Sequence, residues 1–249
     1  MTLQISLEEL IQSGAHFGHQ SRRWNPKMSQ YIYGVKDGIH NFHLKKTKEK
    51  KFEALEVIRT YSKEGKAIVF VGTKKQAKEK VKKVALSTNS FYVNERWLGG
   101  TLTNFDQIKK SVAKLADLKA KKEKGEFRGF TKKERLLIDR EIENLERFFG
   151  GIASISRKPD LLIVIDTKKE RGAIKEANFL GFPTVGVVDS NSDPDEVDYP
   201  IPMNDDASKA IEYVLELMED AILTGKGVKK DDKKQVTSDK KKSTKVEKK

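Results

Sequence analysis

The chain contains no cysteine. That absence excludes a disulfide framework, a thiolate zinc site, an iron–sulfur cluster and a cysteine nucleophile together. Aromatic residues make up 8% of the 249 and hydrophobic residues 37%, below the roughly 45–50% of an average globular chain. No apolar run approaches the ~18 residues that a membrane span needs, so no spanning helix is expected. Met1 to Leu10 carries Glu8 and Glu9 and has neither the basic region nor the apolar region of a secretory signal. The phosphate loop GxxxxGK(S/T), the dinucleotide fingerprint GxGxxG and the zinc-protease HExxH are all missing. In excess is positive charge: 50 Lys and Arg against 37 Asp and Glu give +13 and a pI near 9.5. The expectation is an intracellular, basic, membrane-free protein with a polyanionic partner, and RNA, DNA or an anionic membrane surface all satisfy the charge.

The charge is unevenly spread. Thr224 to Lys249 holds 11 Lys against 4 acidic residues, which places +7 of the total in that stretch. It has no aromatic residue, and after Val228 its only aliphatic residues are Val236 and Val246. Such a segment cannot bury enough apolar area to offset ordering entropy, so residues 224–249 are expected to form a disordered basic tail. Both a solubilising role and a nucleic-acid-binding arm are compatible with it.

Upstream, Ser6-Leu7-Glu8-Glu9 is a capping box opening a short helix to Gly14. Ala15 to Lys27 reads as a loop holding Trp24. Tyr31–Val35 and Ile39–Phe42 around Asp37-Gly38 predict a hairpin. Phe52, Leu55, Ile58 and Tyr61 keep helical spacing over Leu44–Glu64. An alternation follows: strands at Lys66–Val71, Phe91–Val93, Asp160–Asp166 and Thr184–Asp189, and helices at Thr73–Leu86, Lys168–Phe179 and Asp206–Leu223. Continuous β-branched runs between helices predict a parallel, doubly wound α/β sheet. Phe105, Ile108, Val112 and Leu115, then Ile138, Ile142, Leu145 and Phe149, form two heptad-like seams around a second capping box at Thr131–Glu134. They predict an inserted, protruding helical hairpin over 103–150, dividing an α/β domain of 1–102 and 151–223.

Several constellations could carry chemistry. Gly72-Thr-Lys74-Lys75 follows a buried strand and is expected to open a helix, where amides and the helix dipole hold phosphate. Asp166 and Asp189 end neighbouring strands at the carboxyl edge, the ligand crevice of open α/β sheets. With Gly72 they define an alternative reading, a nucleotide-binding enzyme. His16 and His19, with Asp189 and Asp205, are metal candidates for Mg²⁺ or Zn²⁺, although nothing in the sequence requires a cofactor. Ser21-Arg22-Arg23-Trp24-Asn-Pro-Lys27 combines guanidinium forks, a stacking surface and a lysine. Arg96-Trp97-Leu-Gly-Gly-Thr-Leu-Thr-Asn104 repeats the recipe with two glycines that allow close backbone approach.

These stretches, Gly14-Ala-His-Phe-Gly-His-Gln-Ser-Arg-Arg-Trp-Asn-Pro-Lys-Met28, Phe70–Ala77 and Arg96–Asn104, together with Pro159–Asp166, Glu176-Ala177, Val188–Pro194 and Asn204–Ala207, resemble the bacterial-type small-subunit ribosomal protein S-two family. The resemblance runs in order from residue 1 to about 224. It implies a flavodoxin-like α/β domain with a helical hairpin, and a structural, non-enzymatic component of the small ribosomal subunit. It further implies contact with small-subunit rRNA, support of subunit assembly, and docking of the mRNA-binding ribosomal protein S-one among neighbouring ribosomal proteins. No homo-oligomer is expected. A cytoplasmic, bacterial ribosome is the implied location, with an organellar ribosome also open. Carried onto this chain, the rRNA contacts are Arg22, Arg23, Trp24, Lys27, Arg96 and Asn104, with Lys74 and Lys75 as backbone-phosphate candidates and Trp97 as a buttress of its loop.

Overall fold

The structure, a computed structural model, describes residues 6–227. Its centre is a five-stranded parallel sheet. The strands β4 (Ile68–Val71), β5 (Phe91–Val93), β6 (Leu161–Ile165), β7 (Thr184–Val188) and β8 (Tyr199–Pro202) lie in the order β5-β4-β6-β7-β8. The chain starts in the middle, steps to one edge and then winds to the other, which is the flavodoxin-like order with its switch point between β4 and β6. Register is fixed by pairs such as Val71↔Val164, Ile165↔Val187 and Val188↔Pro202, so the strands' carboxyl ends share one edge.

Alternation along the strands feeds two cores. Ile68, Phe70, Leu161, Ile163, Ile165, Val185 and Val187 face the helices α2 (Leu44–Lys63), α3 (Lys78–Ser87) and α7 (Ser208–Gly225), which pack with α1 (Leu7–Gln12). Val69, Val71, Leu162 and Val164 face α6 (Arg171–Leu180), the Trp97 loop and a small antiparallel sheet. That sheet consists of β1 (Phe17–Gln20), β2 (Ile32–Lys36) and β3 (Ile39–Phe42) in the order β1-β3-β2. Asp37 at φ 53° and Gly38 at φ 74° turn β2 into β3, the pair of left-handed residues that a two-residue hairpin loop needs.

The inserted hairpin comprises α4 (Phe105–Glu123) and α5 (Lys132–Phe149). Phe105, Ile108, Leu115, Ile142 and Phe149 are buried along its seam and at its root. Both halves of the expected capping box form at α5, with Thr131 Oγ1 accepting from Glu134 N and Glu134 returning to Thr131 N. At its root, a Cβ on Gly151 would stand 2.1 Å from the Tyr92 carbonyl oxygen, so only glycine lets the returning chain pass β5 so closely.

Four details differ from the sequence reading. The loop expected over 15–27 contains β1, whose Gly18 lies so close to the crevice that a Cβ would stand 2.8 Å from Ser190 Oγ. The strand β8, Tyr-Pro-Ile-Pro, was not expected; its prolines are tolerated because it is an edge strand, where missing N–H donors need not break a ladder. Helix α3 begins at Lys78 rather than Thr73, so Gly72–Lys75 is a turn and not a helix N-terminus. Helix α7 runs on to Gly225, taking in the first residues assigned to the tail, while the disorder expected from Val228 onward lies outside the described residues. Among the described residues no helix is long and apolar enough to cross a membrane.

Candidate nucleic-acid interface

The switch-point crevice is occupied by the protein's own side chains. Gly72 and Thr73 leave β4, Asp166 leaves β6, Asp189 leaves β7, and Asp205 with Asp206 follow β8. Into this acidic edge Lys74 extends its ammonium, 3.0 Å from Asp166 Oδ2, 2.6 Å from Asp205 Oδ1 and 2.7 Å from Asp206 Oδ1. Burial pulls the Lys74 pKa down, but the surrounding carboxylates outweigh it and hold the ammonium protonated well above its ordinary range. Asp166 sits at φ 71°, and its side chain caps the turn by accepting from the Lys169 amide at 3.0 Å. Thr73 donates to Glu170, whose carboxyl burial pushes up.

His19 joins the crevice from β1. Its Nδ1 lies 2.9 Å from Asp189 Oδ1 and its Nε2 3.3 Å from Asp206 Oδ2. The Asp189 hydrogen bond raises the His19 pKa above 6.5, and the remaining neighbours Asp205 and Asp206 add to it. Asp205 is 1% exposed, its Oδ2 has no hydrogen-bond partner among the described residues, and burial beside Asp189 and Asp166 pushes its pKa up to about 8. His19, Asp205 and Asp206 each offer a ligand atom within 4.8 Å of one another. Of the four residues expected around a metal, His19 and Asp205 meet, Asp189 stands behind His19 as its orienting carboxylate, and His16 stacks on Phe17 outside the group. Asp206, the other aspartate of the Asn204-Asp205-Asp206 run and likewise a possible oxygen donor from the sequence, completes the group. A phosphate entering here would face Asp166, Asp189 and Asp205, which is an unfavourable reception for a nucleotide.

The loops on the outside carry the opposite character. Arg22, Arg23, Lys75 and Arg96 are exposed and make no ion pair among the described residues. Trp24 is 39% exposed and lies against His40, ring centroids 5.2 Å apart, with one face of the indole supported. Lys27 is exposed but shares its charge with Asp193 at 2.8 Å and Asp195 at 3.0 Å. Asn104 precedes α4 with its side-chain amide uncommitted to a cap.

The second loop is shaped by a residue given no role at the sequence level. Glu176 on α6 accepts from the Gly100 amide at 2.8 Å, the Leu102 and Thr103 amides at 3.0 Å, and the Trp97 Nε1 at 3.1 Å. Burial draws its pKa up, yet these donors outweigh it and hold the carboxyl below the ordinary range. Trp97 is 9% exposed and packs inward as a buttress, leaving Arg96 outward. A single carboxylate thus arranges a turn of backbone amides and presents the arginine beside it.

A doubly wound α/β body with an internally neutralised crevice, exposed cation-bearing loops and an inserted helical hairpin defines a flavodoxin-like scaffold protein. Residues 10–225 match the family described as ribosomal protein S2. The chain belongs to that family, which comprises structural proteins of the small ribosomal subunit and not enzymes, and which associates with that subunit and its rRNA.

Proposed function

We propose that the chain binds small-subunit rRNA through the exposed faces of its two Arg/Trp loops, with Arg22, Arg23, Lys75 and Arg96 on phosphates, Trp24 as a stacking surface, and Lys27 and Asn104 as rim contacts. The observation that carries this is the segregation of charge. The crevice cation Lys74 is neutralised inside the fold, whereas the loop arginines have no acidic partner among the described residues. Unpaired cations beside a supported indole are what RNA phosphates and unstacked bases select. Docking of ribosomal protein S-one and residence in a bacterial-type ribosome, with an organellar one as the alternative, belong to the same proposal and have the family membership as their support. The test is sedimentation of lysates from cells whose only copy is Arg22→Glu/Arg23→Glu: occupancy of small subunits should fall steeply with salt, and unchanged occupancy would remove these residues from the interface.

We also propose a divalent cation between His19, Asp205 and Asp206. Asp189 on Nδ1 fixes the imidazole so that Nε2 is the ligand atom, the carboxylate–histidine arrangement of many metal sites. Each aspartate gives Oδ1 to Lys74; Asp205 Oδ2 has no hydrogen-bond partner among the described residues, and Asp206 Oδ2 faces His19 Nε2 at 3.3 Å, so the cation would sit between these three atoms. Imidazole in the set suits Zn²⁺ better than Mg²⁺, which prefers oxygen alone.

A further inference from the structure

At the amino edge of the parallel sheet, on the far side from the crevice, the surface sinks into a groove of about 490 Å³. Its walls precede β7 and β8 and include the last turns of α2 and α6. Three acids, Asp195, Glu196 and Asp198, and three rings, Tyr61, Phe182 and Tyr199, line it. Asp195 is paired with Lys27 at 3.0 Å and Glu196 with Arg171 at 2.6 Å, whereas Asp198 has no cationic partner among the described residues. Its Oδ2 accepts from the Thr184 amide at 2.8 Å and the Thr184 hydroxyl at 2.9 Å, which leaves the charge uncompensated. Tyr61 shows what such a ring receives, for Lys66 Nζ lies 4.4 Å from its centroid. Phe179, on the adjoining turn of α6, is 81% exposed. A carboxylate beside aromatic faces accepts an alkylammonium group, with the head on the charge and the stem on the rings.

The end of α7 is clamped to one wall of this groove. Ser62 Oγ donates to the Ile222 carbonyl at 2.7 Å, and a Cβ on Gly225 would stand 2.5 Å from the Arg59 carbonyl oxygen. The last turn of α7 therefore lies on the turn of α2 that carries Tyr61. Residues 228–249 follow from that point in the sequence, with ten lysines against four acidic residues. A chain of that length reaches up to ~70 Å when extended, and its tether keeps the lysines at an effective concentration on the order of mM around the groove. We infer that the groove is the docking site of the lysine-rich segment 228–249 of the same chain, which sets an ammonium on Asp198 and lysine stems against Phe182 and Tyr199. Docked, the segment's cations are partly neutralised within the molecule and add less to its unselective attraction for polyanions.

Because the chain has no cysteine, Ser238→Cys gives a single attachment point for a nitroxide spin label on the full chain. In the isotopically labelled protein at low salt, the nitroxide should broaden the amide signals of Gly181, Glu196 and Tyr199 more than those of the α7 end. In ~1 M KCl, where the screening length falls to ~3 Å, that excess should vanish. Asp198→Asn keeps an acceptor for Thr184 and removes the charge, so the excess should fall by about two- to fivefold, the loss of one partly exposed ion pair. Lys240→Gln/Lys241→Gln/Lys242→Gln should reduce it further, and Phe179→Ser tests the aromatic rim without touching the core. Broadening that is the same in wild type, Asp198→Asn and the lysine triple would reflect the tether alone and would overturn the docking. Broadening centred on another surface would overturn it as well. A mixture of isotopically labelled chain without nitroxide and unlabelled chain with it should show no groove signal; broadening there would assign the groove to a second copy instead.

Discussion

The indole Nε1 of Trp97 donates to Oε1 of Glu176 at 3.1 Å across a sequence separation of 79 residues. A helix thereby holds the loop that carries Arg96, the two packed in one core on the same face of the parallel sheet. The carboxylate is satisfied by backbone amides that point inward at one centre, so the loop's shape depends on a half-buried negative charge together with Gly100 at φ 91°.

Replacing that charge should loosen the loop. In Glu176→Gln the amide keeps one acceptor oxygen and turns an NH₂ group toward amides that also donate. Hydrogen bonds to charged groups are worth about 1.5–3 kcal/mol each, and some survive, so a loss of about 2–4 kcal/mol is expected in urea unfolding at neutral pH. Glu176 has a depressed folded pKa, so its contribution is present above the unfolded carboxyl pKa and is lost as pH falls through the folded value. Wild type should therefore lose its advantage over the variant in acid. An advantage that persists unchanged at acidic pH would show that the charge is not what holds the loop.

The crevice predicts a metal dependence. A cation that binds the folded state alone stabilises by ~2.7 kcal/mol at a hundredfold excess over Kd, which for a chain of this size is about 5–10 °C in Tm. Zn²⁺ should produce that rise in wild type and not in His19→Gln or Asp206→Asn. Lys74 should matter in the opposite sense, because its removal leaves Asp166, Asp205 and Asp206 facing one another and strengthens the demand for a cation. Equal shifts in wild type and His19→Gln would mean that the metal binds elsewhere.

Much of the fold was legible because local and global signals agree. The apolar runs Ala67–Val71 and Leu161–Ile165 are strands in a sheet covered on both faces, and Thr131 caps the helix it was expected to cap. What was not legible depended on distant partners. Lys74 read as a phosphate-facing cation because its carboxylates at Asp205 and Asp206 lie 131 and 132 residues away. In α2 the expected stripe holds at Leu55 and Ile58, with Tyr61 packed partly buried against the same core, but fails at Phe52, which is 46% exposed; Thr47, Lys51 and Ala54 complete the buried face instead. Hydrophobicity alone chose the phenylalanine, whereas packing against α7 chose the lysine.

That lysine yields the last prediction. Lys51 is 0% exposed, its Nζ has no hydrogen-bond partner among the described residues, and the Tyr213 ring lies 4.9 Å away. A cation–π contact of about 2 kcal/mol when desolvated offsets only part of the burial cost. Burial lowers the Lys51 pKa to about 7, against 10.5 for the free side chain. Between those values the unfolded chain binds more protons than the folded one, so stability should rise with pH across that window. The cost is fully present below about pH 7, on the order of 3–5 kcal/mol from the size of the displacement, and vanishes above about pH 10.5. Lys51→Met keeps the volume and removes the proton, so it should be more stable than wild type at pH 7 by about 2–4 kcal/mol, with the gap closing toward pH 10. Urea unfolding of both proteins at several pH values gives the comparison, and parallel curves would show that the ammonium finds solvent or a partner in solution.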